Sequence, residues 1–286
     1  MPIGLIEGRQ PRIWPKAIRE KGDMPDKVFR LSHFKINTFR QCPRRYRYQY
    51  VDGLYGLYHR PRPYHTMGEH VHGVLKSLLY RSNQERTSAT AERLLRQRWP
   101  SNRGGFETRD EEREYFERAL AQVRWFCQTQ DLTAQPYVLE AQHEIPLSPA
   151  LRVLGKIDRV DRYADGSFHV IDYKTSRTVD NDDDLQLLTY ALILSRKFGA
   201  EIRRASYLFL NGAGWRTIEP GVTDLEETED ALIAAWREIT AETEFAPKPN
   251  RFCRWCDFVD ICDASRKQPS SDTSMEPDGE SSFEGW

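Results

Sequence analysis

The sequence predicts an α/β domain built on a mixed central sheet with helices on both faces. Three observations carry that expectation. Apolar residues at helical spacing fill much of the first half of the 286-residue chain, three strand-like runs follow one another from about residue 137, and the chain then reads helix, strand, strand, helix.

Taken in order, residues 1–30 are rich in proline and charge without periodicity and read as an extended arm. Residues 32–51 read as two helical pieces, because Pro43 suits the first turn of a new helix and disrupts the interior of an old one. Over 67–80, Val71, Val74, Leu75, Leu78 and Leu79 share one helix face. Helices follow at about 88–99 and 110–129, and the second sets Phe116, Leu120, Val123 and Cys127 on one stripe, which makes Cys127 a core thiol. YVLEAQHEIPL, LRVLGKIDRVDRY and SFHVIDYKT then have strand character, with Asp165-Gly166 as a hairpin turn between the last two. Asp182, Asp183 and Asp184 suit a helix start, and the nearly all-apolar LQLLTYALILSRKFG after them is a helix expected to be deeply packed. RRASYLFLN, WRTIE and LEETEDALIAAWREITAE complete the core as strand, strand and helix, and residues 266–286 have the composition of a disordered acidic tail.

Composition narrows the class. No apolar stretch approaches the roughly 20 residues of a membrane span, and the first residues lack the apolar segment and small-residue cleavage site of a secretory signal, so a cytoplasmic location is expected. The net charge of −1 hides an asymmetry, because residues 268–286 hold five acids and no Lys or Arg. Setting those aside leaves +4 for residues 1–267, and seven bases face one acid within residues 35–62. That patch has the footprint of a nucleic-acid partner. In CPRRYRYQY, Arg44, Arg45 and Arg47 can neutralise phosphates while Tyr46 stacks on an unpaired base, although tyrosines at this spacing equally serve to pack a helix.

The run VLGKIDRVDRYADGSFHVIDYKTS places Asp158, Asp172 and Lys174 in two otherwise apolar segments, where unpaired charge is costly. A three-residue loop, Ala164 to Gly166, sets 158 opposite 172 and puts both carboxylates on one face; a two-residue turn sends them to opposite faces. Carboxylates so placed repel unless a hard divalent cation, Mg²⁺ or Mn²⁺, sits between them. With Lys174 two residues on, the group has the parts of a phosphodiester-hydrolysing centre. An isolated D-x-K is more often a plain ion pair on an exposed sheet.

Five cysteines in a chain of this kind argue for metal or reactive thiols rather than disulfides. Cys253, Cys256 and Cys262 form a compact trio, and Cys42 is the distant fourth candidate. Their spacing alone is compatible with Zn²⁺ or an iron-sulfur cluster.

Gly155-x-Ile157-Asp158, Asp172-Tyr173-Lys174, Gln186-x-x-x-Tyr190 and the Gly68-Glu69-His70-Val71-His72 stretch together resemble the PD-(D/E)XK nuclease superfamily in its RecB-like branch. The early cysteine with C-x₂-C-x₅-C resembles that branch's iron-sulfur members, the AddB-type subunits and the CRISPR adaptation nucleases. The resemblance implies a restriction-endonuclease-like core over residues 31–265, with a helical insertion at about 81–135 and the chain ends stapled by a 4Fe-4S cluster on Cys42, Cys253, Cys256 and Cys262. It implies that His72, Asp158 and Asp172 ligate the catalytic metal, that Lys174 positions or activates water, and that Gln186 and Tyr190 contact substrate from the wall of the site. His70 points elsewhere and is read as structural. The implied activity is a metal-dependent deoxyribonuclease, an exonuclease on single-stranded ends, working in repair, recombination or CRISPR adaptation. The alternatives are a nuclease of RNA, or a DNA-binding or assembly subunit of a helicase-nuclease or CRISPR adaptation complex.

Overall fold

A computed structural model describes residues 28–176 and 184–264. The expectations for the arm before residue 28 and the tail after 264, and for Asp182 and Asp183, lie outside the described residues. Strand β1 (Phe29–Leu31) is followed by α1 (His33–Gln41), whose N-terminus is capped by the Ser32 hydroxyl accepting from the Lys35 N–H. The chain restarts at Pro43 as α2 (Pro43–Tyr46), as the proline predicts, and loosens into a π-turn over Arg47–Val51. A short α3 (Tyr55–Tyr58) leads to α4 (Pro63–Leu79), again with proline in its first turn. Helices α5 (Ser88–Arg98) and α6 (Arg109–Thr129), capped by Thr87 and Thr108, pack on α4.

Strands β2 (Pro136–Ser148), β3 (Leu151–Arg162) and β4 (Phe168–Lys174) follow, then α7 (Leu185–Phe198), β5 (Ile202–Phe209), β6 (Gly214–Ile218) and α8 (Val222–Ala241). They form one six-stranded mixed sheet. Strand β2 runs antiparallel along one edge of β3, from Pro136 opposite Asp161 to Ser148 opposite Leu151. Two strands share the other edge. Strand β1 takes it in parallel at Leu151–Val153, and β4 takes it antiparallel at Arg159–Arg162. Between them no described strand pairs with β3 on that side, and Asp158 stands at the fork where β4 leaves β3 while staying paired with β5.

The turn has the parity that a shared carboxylate face requires. Tyr163 N–H donates to the Ser167 carbonyl at 2.8 Å, Gly166 N–H to the Tyr163 carbonyl at 3.0 Å, and Gly166 has φ +89°. Arg159 therefore opposes Ile171, and the same register brings 158 level with 172.

One face of the sheet (Ile171, Tyr173, Leu208) packs on α4–α6, and the other (Val160, Val170, Tyr207) packs on Leu187, Ala191 and Leu194 of α7. A third core joins β1, α1, α7 and α8 through Leu31, Ile36, Phe39, Ile193 and Leu232. Cys127 is half-buried against the α4–α6 core, which pushes its thiol up to about 11. Asp184 is the residue before α7 but makes no side-chain cap; its carboxylate accepts from Arg216 at 2.8 Å instead. No helix among the described residues is long and apolar enough to cross a membrane.

Candidate active site

Asp158, Asp172 and Lys174 come together at the β3–β4 fork and are all buried. Where the ladder opens, the Tyr173 N–H donates to Asp158 Oδ2 at 2.8 Å, so the carboxylate takes the place of a backbone acceptor. That bond fixes the side chain. Its other oxygen lies 3.3 Å from His72 Nδ1, on α4. The Tyr173 ring, on the far side of β4, meets the His72 ring edge-on at 5.8 Å and 86°.

Glu140 is the member that sequence reasoning missed. On β2, Leu139 opposes Arg159 and Ala141 opposes Ile157, which sets Glu140 across from Asp158. Its backbone has φ +48°, a left-handed conformation that a non-glycine residue adopts at a cost. Glu140 Oε1 lies 3.4 Å from His72 Nδ1, and Oε2 accepts from Lys156 Nζ at 2.9 Å. Burial alone would raise this carboxyl, but the His72 hydrogen bond and the Lys156 ammonium outweigh it and hold the group at about 2. One donor atom each from His72, Glu140 and Asp158 lies within 4.8 Å of the others. A nitrogen and two carboxylate oxygens so gathered suit a hard or borderline divalent cation.

Asp172 is not in that trio. Its Oδ2 pairs with Lys174 Nζ at 2.9 Å, and its Oδ1 accepts from Gln186 Nε2 at 3.3 Å. Burial raises its carboxyl to about 6, with Lys174 opposing and Asp158 reinforcing that rise. A bound cation would reverse the balance.

Gln186 departs from its expected place on the wall of the site. It is 4% exposed and works as a buried cross-link. Its Nε2 donates to Asp172 and to Tyr190 Oη at 3.0 Å, while its Oε1 accepts from Lys174 Nζ at 3.2 Å and Tyr207 Oη at 3.3 Å. All of its amide positions are used, so it orients the lysine and the aspartate. Tyr190 does line the cleft, with its ring against Gly155. A Cβ there would stand 2.7 Å from Tyr190 Cε1, which is the packing reason for the glycine of G-x-I-D. His70 is fully buried, bonded to the Asn102 carbonyl at 2.7 Å and stacked on Trp99.

These groups open into a cleft of about 630 Å³ between α4 and the fork, lined also by Phe34, Tyr55, His59, His65, Lys76 and Arg98. The matching family model is that of the PD-(D/E)XK nuclease superfamily, and it spans residues 30–263. The chain belongs to that superfamily. Over 122 residues the chain is 31% identical to one of the subunits of the ATP-dependent helicase/deoxyribonuclease of two Streptococcus equi subsp. zooepidemicus strains, MGCS10565 and H70. The match covers 40% of this chain and 11% of those proteins. Among solved structures, a Eubacterium rectale protein aligns over 86% of this chain and 90% of its own, with TM-score 0.47 and 13% identity.

The arginine-tyrosine segment is largely turned inward, which corrects its reading as a DNA surface. Tyr46 is 3% exposed, stacked parallel to Phe245 at 6.3 Å, and has no free face for a base. Arg45 is buried and donates to Gln41 Oε1 at 3.1 Å; Arg44 donates to the Phe245 carbonyl at 2.9 Å. Arg47 is the exposed member, paired with Asp52 at 3.4 Å. The alternation packs this segment against Phe245 and Phe258.

At that junction Cys42, Cys253, Cys256 and Cys262 line one small cavity of about 40 Å³ with Arg44, Arg45, Tyr48 and Phe258. Lys248 N–H points at Cys42 Sγ (3.5 Å) and Asn250 N–H at Cys253 Sγ (3.3 Å). Burial pushes the Cys256 thiol up to about 11. A set of thiols beside amide donors and two guanidiniums fits a group that binds them as thiolates.

Proposed function

We propose that the protein is a divalent-metal-dependent deoxyribonuclease that cuts phosphodiester bonds of single-stranded DNA, acting on strand ends. The carrying observation is the buried fork, where His72, Glu140 and Asp158 offer one cation site beside the Asp172–Lys174 pair. Mg²⁺ or Mn²⁺ held there would supply charge neutralisation on the phosphoryl oxygen and acidify the attacking water. The chain supplies the rest. Lys174, held by Asp172 and Gln186, places an ammonium where negative charge develops on the phosphate. Asp158 is fixed by the Tyr173 N–H and so offers its other oxygen, the one facing His72, without reorganisation. The cleft of about 630 Å³ walled by α4 gives a substrate strand access to the fork. The streptococcal relatives' name, that of a helicase/deoxyribonuclease subunit, supports DNA as the substrate and a helicase-linked setting for this chain as well.

The four cysteines are read as ligands of a 4Fe-4S cluster that staples the chain ends. Zinc requires sulfurs about 3.8 Å apart in a tetrahedron. Among the described residues, the His72 trio is the group with donor atoms all within 4.8 Å, and no cysteine set joins it, which favours the larger cluster.

The test is digestion of end-labelled single-stranded DNA, free or blocked at its ends, with Mg²⁺, Mn²⁺ or EDTA. Metal-dependent loss of label that Lys174→Ala and Asp172→Asn abolish is expected. Equal degradation by wild type and Lys174→Ala overturns the assignment. DNA retention without any cutting by wild type favours the assembly-subunit reading.

A further inference from the structure

Beyond His72 the cleft continues along α4, and its far end carries groups that phosphoryl hydrolysis as described does not use. Gly68, Glu69, His72, Gly73, Lys76 and Ser77 line it at i, i+3, i+4 spacing, so the groove follows one face of the helix. Arg98, the last residue of α5, lies across this face at Gly73. A Cβ on Gly73 would stand 2.4 Å from Arg98 Cζ, 2.5 Å from Nε and 2.9 Å from Nη2. The guanidinium can rest there only because the helix presents bare backbone. Glycine costs a helix interior stability, and here it makes a seat for the arginine next to a residue of the cation site.

The arginine so seated is poorly satisfied. Its Nε is buried without a hydrogen-bond partner among the described residues. Its ion pair, Nη2 to Glu69 Oε1, is long at 3.5 Å and largely exposed, a kind of contact that contributes little. Glu69 is held mainly from elsewhere, its Oε2 accepting from Asn102 Nδ2 at 2.9 Å. Lys76 lies one turn beyond His72, about 6 Å along the axis, on the same wall. Its ammonium has no ion pair among the described residues. Two cations with spare donors, a helical turn from the cation site, are matched to the phosphate that follows or precedes the scissile one on an extended strand.

We propose that Arg98 and Lys76 form a phosphate subsite that grips the substrate strand one nucleotide from the bond being cut, with Gly73 as the seat that aims the guanidinium. This rests on the nuclease reading and adds to it a register. The strand is held by a backbone phosphate on the α4–α5 side, so cutting is measured from that grip and not from the base sequence.

The experiment measures metal-free binding of a single-stranded oligonucleotide series, each member carrying one uncharged methylphosphonate at a different position, across a salt titration. Wild type, Arg98→Gln, Arg98→Lys and Lys76→Gln are compared, with thermal melts to verify folding. Arg98→Gln is expected to weaken binding by roughly tenfold and to flatten the log–log salt slope by about 0.7. Its defect should vanish when the methylphosphonate occupies the position adjacent to the mapped cut. Arg98→Lys should restore the slope while recovering only part of the affinity. Should Arg98→Gln fail to fold, Lys76→Gln must show the same single-position loss, since its ammonium holds nothing together. Wild-type slopes in both variants, or a defect spread evenly over every methylphosphonate position, overturn the subsite while leaving digestion by wild type, and hence the nuclease reading, intact. A wild type that neither cuts nor binds the oligonucleotide overturns both.

Discussion

A methyl group added to Gly155 would stand 2.7 and 2.8 Å from two ring carbons of Tyr190 and 3.2 Å from Ile193 Cδ1. Tyr190 is 3% exposed and its hydroxyl is held by Gln186, so the ring cannot swing clear without cost. Overpacking of this kind costs about 2 kcal/mol, which for a chain of this size is a fall of roughly 4–8 °C in melting temperature. The larger effect is on the site. Displacing Tyr190 frees one Gln186 donor, and the same amide orients Asp172 and Lys174, so the lysine loses its fixed position. A misplacement near 1 Å lowers turnover by about a hundredfold. The assay is a melt together with kcat and KM on single-stranded DNA for Gly155→Ala, Tyr190→Leu and the pair. The double variant should recover stability relative to the sum of the singles, because leucine removes the clashing ring edge. A Gly155→Ala protein that melts within about 1 °C of wild type and keeps its turnover refutes this account of how the lysine is held.

Glu140→Gln is expected to raise the Mg²⁺ or Mn²⁺ concentration for half-maximal activity by about tenfold or more; an unchanged metal titration removes Glu140 from the ligand set. Cys256→Ser should lose the visible absorbance of a reconstituted cluster and melt earlier, and an iron-free, zinc-bearing wild type would overturn the cluster assignment. His33 is buried, and that burial first, then the charges of Lys174 and Arg40, pull its imidazole from 6.5 to about 3. The unfolded chain therefore binds the extra proton, so this contribution is constant above about pH 6.5 and stability falls as pH drops below it, by up to about 1.4 kcal/mol per unit. Denaturant titrations at pH 7 and pH 5 should show that loss in wild type and a smaller one in His33→Gln.

What the sequence disclosed was local. Asp165-Gly166 and the need for two carboxylates on one face fixed the hairpin's parity, and Pro43 marked the break between α1 and α2 because a ring on nitrogen cannot continue a helix. Long-range partners were hidden. Strand β1 is three residues whose only reason to be extended is the free edge of β3 some 120 positions away, a separation no local pattern records. Glu140 reads as an ordinary polar position in an alternating strand, and only the β2–β3 register, counted from the known Asp158, would have placed it in the site. Tyr46 and Arg45 had the composition of a nucleic-acid surface, but Tyr46 is enclosed by Phe39 of α1 and by Phe245 of the returning C-terminal segment, the second a partner no local pattern records. Gln186 was found by motif and misplaced by role, since an amide serving four partners looks the same in sequence as one facing solvent.

The bracing of residues 44–62 by the closing segment also has a temporal side. Arg44 waits for the Phe245 carbonyl, the Arg60 N–H for Asp257, and Arg62 for the Trp255 carbonyl. All three donors leave the ribosome early and all three acceptors leave it late. A half-made chain can therefore assemble its hairpin and inner helices while the cleft's Tyr55–His59 wall still swings loose. Premature termination before Phe245 would strip that wall of its anchors without deleting a single residue of the β3–β4 fork.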